Sequence, residues 1–504
     1  MRVWRIGVAV TVAWGLVGCG ADSDPAPTAV PSSSTAPTAA SSGAATPAAE
    51  AVRVERSVLG VPAVLEVGPA YRMDGGTLLP VRVMPEKGAP ETSLQSSWTG
   101  GSSLGDTSGF TLVDFEAGTA QPGAKSSPIF ASFGGEKGEL ETFAFFGQTT
   151  KDTVDVLVPF SGMVYDVPVV DGPALQSAKD FLASVDRGTV VKEPLPLTEY
   201  RERVDGAFDV AAAAEEVEVN LAADVLFAVD SAELSGEADG VLQDAAAQLR
   251  VFEGGQVEIV GHTDSVADDA HNLELSRRRA EAVRQRLDAL GALQGFGVTV
   301  DGRGESEPRV EETDDESRQL NRRVELRVTG KRREEAAVAS AVPSPAAGVV
   351  TGQGTGTLRV PADVSNEELA VRVASLERRG KFLVGQLEVS CEQCTDGFAW
   401  KAFGRVLASA PHRDNQPEGP FTPASQLALL AGDERVFPVE FEYAKGRLVL
   451  TDPNLYRTGA ENGKSVYTVT VVWPDLGGDK ATIDVNGERA DSEGWRISDV
   501  PVAQ

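Results

Sequence analysis

The chain has 504 residues, too many for one hydrophobic core, and length alone sets an expectation of three or four domains. Hydrophobic residues make up 41% of it, an ordinary share for globular domains. With 75 acidic against 46 basic residues the net charge is −29, a surface that repels phosphate backbones and anionic lipid heads, argues against nucleic acid as a partner, and in its plainest use keeps the protein soluble.

Arg2 and Arg5 give the chain a positive start, and residues 6–17, IGVAVTVAWGLV, are apolar but too short to span a bilayer comfortably. Leu16-Val17-Gly18-Cys19 follows. This resembles the lipobox of bacterial lipoproteins, in which the Cys thiol is acylated and the chain is then cleaved before it. The resemblance implies a signal peptide over 1–18, a mature chain that begins at a lipidated Cys19, and a membrane partner reached through palmitate-type acyl chains. Each buried CH₂ adds about 0.8 kcal/mol, so more than one chain gives stable anchoring. No later run of eighteen apolar residues is present. Residues 19–52, almost wholly Ala, Ser, Thr, Pro, Gly and Asp up to position 50, bury too little apolar surface to order themselves and are expected to be a disordered tether.

Residues 53–205 carry short β-rich runs, TLLPVRVM, FTLVDF, ETFAFFG and DTVDVLVPF, between Gly, Pro and Ser-rich turns, the pattern of a β-sandwich. A segment of tether-like composition, 331–356, reads as a second linker. Residues 357–504 are again strand-rich and predict a second sandwich-like domain. KDTVDVLVPFSGMVYDVPVV from Lys151 and KATIDVNGERADSEGWRISDVPVA from Lys480 share Lys-x-Thr-aliphatic-Asp-Val and Asp-Val-Pro-Val, so the outer segments read as a repeat. Cys391 and Cys394 form a C-x-x-C pair without the further ligands of a zinc site, and outside the cytoplasm a local disulfide is the expectation.

Residues 217–330 differ in pattern. VEVNLAADVLF predicts a strand, Ser235 an N-cap for a helix through Leu249, QVEIV a strand, Asn272–Leu290 a helix stopped by Gly291, and GVTVDGRG a strand with a Gly-rich turn. Thr313 and Glu316 have capping-box spacing, and RVELRVT alternates cleanly. Strands alternating with helices predict a two-layer α/β sandwich. The fold class is therefore multi-domain: a central α/β two-layer sandwich between two mainly-β, sandwich-like domains.

In the second helix Leu275, Ala280, Val283, Leu287 and Leu290 share one arc, and Arg279 falls on it. A guanidinium there needs a partner. Asp264, in the preceding loop GHTD, is the near acid. Two readings stay open. Either Asp264 and Arg279 form an internal pair that fixes the loop, or they stand apart and hold the ammonium and carboxylate of one zwitterionic ligand, with Thr263, Asn272 and the helix start adding donors and acceptors. A metal site built from His262, Asp264, Asp268, Asp269 and His271 is a weaker alternative, since no regular ligand spacing appears.

Several motifs recur in order: VLFAVDSAEL with Phe227 and Leu234, GHTD at 261–264, Asn272, Leu275-Ser276, Arg279-Ala280, GRGESEP at 302–308, and Asn321-Arg322-Arg323-Val324. With them the segment resembles the OmpA-like peptidoglycan-binding domain. The resemblance implies non-covalent binding of peptidoglycan through the diaminopimelate of its stem peptides, with Asp264 and Arg279 as the two charged contacts, Arg322 near the pocket, and Asp230 lining it. Relatives often carry Gly three residues after the Asp, where this chain has Ala267 followed by Asp268-Asp269, so the shape of that turn is in doubt.

The expectation is a lipid-anchored protein of the cell envelope, on the extracytoplasmic side and held either in an outer membrane or on the outer face of the cytoplasmic membrane, that ties membrane to wall. It is expected to be no enzyme and to need no cofactor or metal, since no nucleophile elbow, defensible Ser/His/Asp order or phosphate loop is present. The alternative is an adhesin or assembly scaffold whose outer β-domains bind envelope proteins, with the central module as attachment only.

Overall fold

The structure is a computed structural model that describes residues 49–93, 109–126, 131–173, 175–213, 215–333, 344–345, 348–361, 368–391, 426–443, 446–450, 466–485 and 494–504. The described residues form one compact unit. The expected signal peptide, Cys19, most of the tether, and Cys394 lie outside the described residues. Cys391, buried at the end of its strand, takes part in a disulfide bond. Among the described residues no helix is long and apolar enough to cross a membrane.

Among the described residues the largest sheet has eleven strands, labelled here in chain order: β1 Glu199–Arg203, β2 Phe208–Ala212, β3 Glu216–Ala222, β4 Phe252–His262, β5 Phe296–Gly304, β6 Arg323–Arg332, β7 Val350–Gln353, β8 Ala428–Ala431, β9 Glu434–Val436, β10 Lys480–Val485 and β11 Trp495–Pro501. Their spatial order is β5-β4-β6-β3-β2-β1-β9-β8-β10-β11-β7. Helices α1 (Ala238–Arg250) and α2 (Asp269–Ala289) cover one face of the central strands. The alternation read in β6 turns Val324, Leu326 and Val328 toward them, beside Val217, Val219 and Leu221 of β3 and Val257 and Ile259 of β4. From α1 come Val241, Leu242, Ala245, Ala246 and Leu249, and from α2 Ala280, Val283 and Leu287, both at helical spacing. This is the expected two-layer α/β sandwich, and mainly-β sheets flank it.

Three local expectations are corrected. The strand predicted over VEVNLAADVLF ends at Ala222, and Ala223–Leu226 form a single helical turn. The capping box before the last helix, α3 (Asp315–Asn321), is one residue on. Asp314 accepts from Ser317 N, and the Ser317 hydroxyl accepts from Asp314 N, so neither Thr313 nor Glu316 makes the reciprocal pair. Asp is preferred to Thr at the N-cap position. Lastly, the segment 331–356 is stranded at both ends: β6 runs to Arg332, and β7 pairs parallel with β11.

The central sheet does not stop at the module. β3 continues through the hairpin β2–β1 into β9 and β8 of the C-terminal segment, with Arg201 opposite Val436. The face of this sheet away from the helices carries buried polar side chains in register. Glu202 lies opposite Asp209, Asp209 opposite Asn220, and Asn220 opposite Glu325. Buried carboxylates require cations, and Asp209 and Glu325 have them. Arg309 forms two bonds to Asp209, of 2.7 and 2.9 Å, and Arg323 and Arg327 bond Glu325.

The outer segments share one core, in which Val58, Leu65, Val156 and Val164 of the first pack in the same cluster as Val371, Leu387, Tyr467 and Ile497 of the second. Their repeat is visible in the hairpins. Strands 153–158 and 162–171 pair antiparallel with an irregularity beside Asp166, as β10 and β11 do beside Asp499, and both aspartates have φ of +54°. Matching the registers sets Thr153 against Lys480, each opposite the Pro of Asp-Val-Pro-Val. The sequence match had set Lys151 against Lys480. A slip of two residues preserves the inward and outward faces, so the pattern alone cannot detect it.

Candidate functional site

The site forms where the C-terminal end of β4 meets the start of α2. Close approach is possible because of two glycines. A Cβ at Gly261 would lie 2.0 Å from the Ser276 carbonyl oxygen, and one at Gly302 would lie 2.5 Å from Arg277 N. Bare backbone there lets the first turns of α2 lie directly on β4 and β5. The helix starts at Asp268, whose carboxylate accepts from His271 N at 3.0 Å.

Arg279 lies where its arc predicted, 4% exposed in the interior. Its Nε donates to the Ser231 carbonyl at 2.8 Å, its Nη2 reaches the Ala228 carbonyl at 3.5 Å, and its guanidinium carbon stands 5.2 Å from the centre of the Phe227 ring. Among the described residues, no carboxylate lies within ion-pair distance of Arg279. Burial pulls its pKa below the ordinary value, and the fields of Asp224, Asp230 and Asp264 act against that. It is therefore a buried cation held by carbonyl dipoles and an aromatic face, with carboxylates at range but none in contact.

Asp264 is bonded to Arg322 and not to Arg279. Its Oδ2 accepts from Arg322 Nη1 at 2.7 Å. The same guanidinium holds Asp224, with Nη2 to Oδ2 at 2.6 Å. The hydrogen bonds to these acids, Asp224 first, push the Arg322 pKa up against its partial burial. Two carboxylates share one guanidinium, so this part of the site keeps an excess negative charge. Asp264 Oδ1 makes only a long contact, 3.4 Å, from Val266 N.

The other expected residues gather here too. Asn272 is buried, and its amide N–H groups are engaged inside the protein: 2.7 Å to Glu305 Oε2, 3.1 Å to the Asp264 carbonyl, and 3.4 Å to that of Ala267. It braces the loop that carries Asp264. Thr263 is also buried; its N–H donates to the Gly304 carbonyl at 3.0 Å, and its hydroxyl has no hydrogen-bond partner among the described residues. Asp230 stands at φ +55°, a left-handed conformation that Asp tolerates, and lies 2.7 Å from His271 Nε2. The contact ties the loop after Phe227 to the start of α2.

Sequence reasoning missed Asp224, Glu305 and Glu312. Glu312 accepts from the Ser265 hydroxyl at 2.6 Å and from Asn321 Nδ2 at 3.1 Å, and its pKa is held down by these bonds against burial. An acid in each of these loops was visible, but nothing in one sequence tells a bracing carboxylate from a solvated one among 75. The residues of the metal alternative do not converge. His262 is buried 3.3 Å from Glu325 on the sheet's far face, while His271 faces Asp230. Among the described residues no group of three or more His, Cys, Asp or Glu side chains is arranged to hold a metal ion.

The OmpA family model matches residues 226–322, from the turn before Phe227 to Arg322. Outer membrane porin F of Pseudomonas aeruginosa is 34% identical over 158 residues, 31% of this chain and 44% of that protein. Outer membrane protein A of Bordetella avium is 33% identical over 111 residues, 22% of this chain and 57% of that protein. The chain thus spans about half the length of these relatives. Among solved structures, the cell wall anchor of the T6SS from Pseudomonas aeruginosa is 33% identical over 25% of this chain and 89% of that one, with a TM-score of 0.22. The peptidoglycan-associated lipoprotein from Burkholderia pseudomallei is 30% identical over 20% of this chain and 86% of that one, with a TM-score of 0.18. Residues 226–322, which carry α1, α2 and the loops of Asp230, Asp264 and Glu305, are an OmpA-family domain.

Proposed function

We propose that this domain binds peptidoglycan non-covalently by holding the diaminopimelate of a stem peptide between Arg279 and Asp264. The observation that carries the reading is the buried Arg279 guanidinium with no carboxylate in contact. A buried cation left in that state is costly, and an incoming carboxylate relieves the cost through two parallel charge-assisted bonds. The excess negative charge of Asp224 and Asp264 on the single Arg322 suits an ammonium at the other end of the same ligand. Thr263, with its unpartnered hydroxyl, and Asp230, tied to His271, complete the lining. Arg322 holds the Asp264 carboxylate in place, and Asn272 holds its loop.

On this reading the protein is exported, anchored through acyl chains on Cys19, and fastened to the wall by the domain, so that it ties an envelope membrane to peptidoglycan. The names of the curated relatives, outer membrane proteins, favour an envelope location. The role is attachment and involves no catalysis. The test is co-sedimentation of the full-length protein with purified sacculi, competed by free diaminopimelate. Wild type is expected in the pellet and released by the competitor, while Asp264→Ala and Arg279→Met stay in the supernatant with unchanged circular dichroism. Pelleting of both variants like wild type would reject the pocket. For the anchor, Cys19→Ala is expected to move the protein from the membrane fraction to the soluble one.

A further inference from the structure

A cleft of about 1430 Å³ lies in the first β-rich segment and shares no lining residue with the charged site. Residues of the neighbouring strands Thr111–Asp114, Thr119–Pro122 and Thr153–Val158 line it, with loops 147–152 and 187–194 and the hairpin tip Arg379–Gly380 of the C-terminal segment. Contacts behind the lining fix its shape. Arg72, paired with Asp171 at 2.6 Å, donates to the Thr149 and Lys151 carbonyls, both at 2.8 Å, and Gln121 donates to the Val191 carbonyl at 2.8 Å. A Cβ on Gly147 would lie 2.2 Å from that last carbonyl, and one on Gly380 would lie 2.6 Å from the Phe115 carbonyl. Charge in the cleft is unevenly paired. Lys151 is bonded to Asp114 at 2.5 Å, and Arg379 lies 3.4 Å from Glu377 and 3.9 Å from the centre of the Tyr165 ring. The other charged groups of the lining have no ion-pair partner among the described residues. They are six acids, Asp74, Glu116, Asp152, Asp155, Asp166 and Glu193, against two bases, Arg187 and Lys192. Of the six acids Asp155 is half-buried and the rest are exposed. Its carboxylate accepts from Asp166 N at 2.9 Å. Burial raises its pKa, against that bond and the fields of Arg379 and Lys151.

We propose that this cleft binds an extended peptide segment of a partner protein, with a lysine or arginine of that segment paired to Asp155. Three observations choose the occupant. Pockets for small molecules reach about 1,000 Å³, and this cleft is larger, so a stretch of chain fills it better than a metabolite does. Phe115, the aromatic residue of the lining, is buried, which removes the ring face on which a flat ligand would stack. The surplus of unpaired acids selects a basic segment. Asp155 gains most from it, because a cation in contact offsets the cost of holding a half-buried carboxylate ionised. The net charge of the whole chain attracts basic partners everywhere; the braced walls and the covered Asp155 localise one of them here. The site stands apart from the reading of the central domain, and it gives the β-rich part a role of its own, holding a partner protein while that domain holds the wall.

The test is calorimetric titration of the full-length protein at physiological salt with two blocked octapeptides, Ac-(Lys-Ala)₄-NH₂ and Ac-(Glu-Ala)₄-NH₂. Wild type is expected to bind the basic octapeptide and not the acidic one. The cleft variant Asp155→Asn/Asp166→Asn is expected to weaken the basic octapeptide about tenfold or more. Asn at 155 keeps an acceptor for Asp166 N, and urea unfolding checks that the fold is kept. A second variant, Asp74→Asn/Asp152→Asn, changes exposed positions alone and is expected to act in the same sense, more weakly. The control Glu136→Gln/Asp288→Asn makes the same change in net charge at exposed positions outside the lining and is expected to stay within about twofold of wild type. An equal loss in the control would assign the binding to general charge and overturn the site. Undiminished binding in both cleft variants would overturn it too, as would failure of wild type to bind the basic octapeptide.

Discussion

Replacing Arg279 by Met separates a ligand-binding cation from a structural one. Met has similar length and no charge. Three quantities set the change in stability. The lost hydrogen bond to the Ser231 carbonyl, 2.8 Å and charge-assisted, costs about 1.5–3 kcal/mol. Loss of the stacking over Phe227 at 5.2 Å costs about 0.5–2 kcal/mol. Against these, the cation's desolvation penalty, several kcal/mol for a group this buried, disappears. The terms oppose one another, and the variant is expected within about 1 kcal/mol of wild type in urea unfolding. Binding behaves differently. Two charge-assisted bonds to a carboxylate at roughly 1.5–3 kcal/mol each vanish together, which weakens diaminopimelate binding by about 10² or more. Calorimetry and urea unfolding on the same preparation read both. A variant destabilised by more than about 3 kcal/mol, with ligand affinity unchanged once folded, would refute the reasoning and make Arg279 a structural brace for the Phe227–Ser231 loop.

Gly261→Ala sets a Cβ 2.0 Å from the Ser276 carbonyl and forces α2 off β4, so a loss of about 3 kcal/mol or more is expected by urea unfolding, together with loss of sacculus binding; a neutral substitution would mean that the contact yields easily. Asp209→Ala leaves the largely covered Arg309 unpaired and is expected to cost about 3 kcal/mol, although position 209 lies outside the stretch matched to the family; a cost below 1 kcal/mol would show that the pair is solvated. Stability should fall on acidification in two stages. Burial holds the His262 pKa below its ordinary value despite the neighbouring Glu325, so the unfolded chain takes up this proton first and stability declines as pH drops below about 6.5. Glu325 is held down at about 2 by His262 and Arg327, against its burial, so its contribution is complete above about 4.5 and is lost toward pH 2. In His262→Gln the first stage is expected to vanish; its persistence would assign it to another group.

The sequence makes most of the central module legible because its periodicities are local. The alternation in RVELRVT and the helical arc of Leu275, Ala280, Val283 and Leu287 each record a buried face directly. The anomaly on that arc, Arg279, pointed to the site for the same reason. Other features depended on distant chain. Asp264 takes Arg322 as its partner, 58 residues on, while nearness in sequence had favoured Arg279. The extension of the sheet from β1 into β9 joins residues more than two hundred positions apart, and no periodicity encodes such a pairing. The polar row Glu202, Asp209, Asn220 and Glu325 reads in sequence as a solvent-facing side of strands. It is buried, and Arg309, Arg323 and Arg327 supply the charges that make burial tolerable.

The most direct measurement is a crystal structure of the protein soaked with meso-diaminopimelate at saturating concentration. The expected result is one ligand carboxylate bonded in parallel to the Arg279 guanidinium and the adjoining ammonium on Asp264, with Arg322 still holding Asp224. A site without ligand, in which Arg279 keeps only the Ser231 and Ala228 carbonyls, would contradict it.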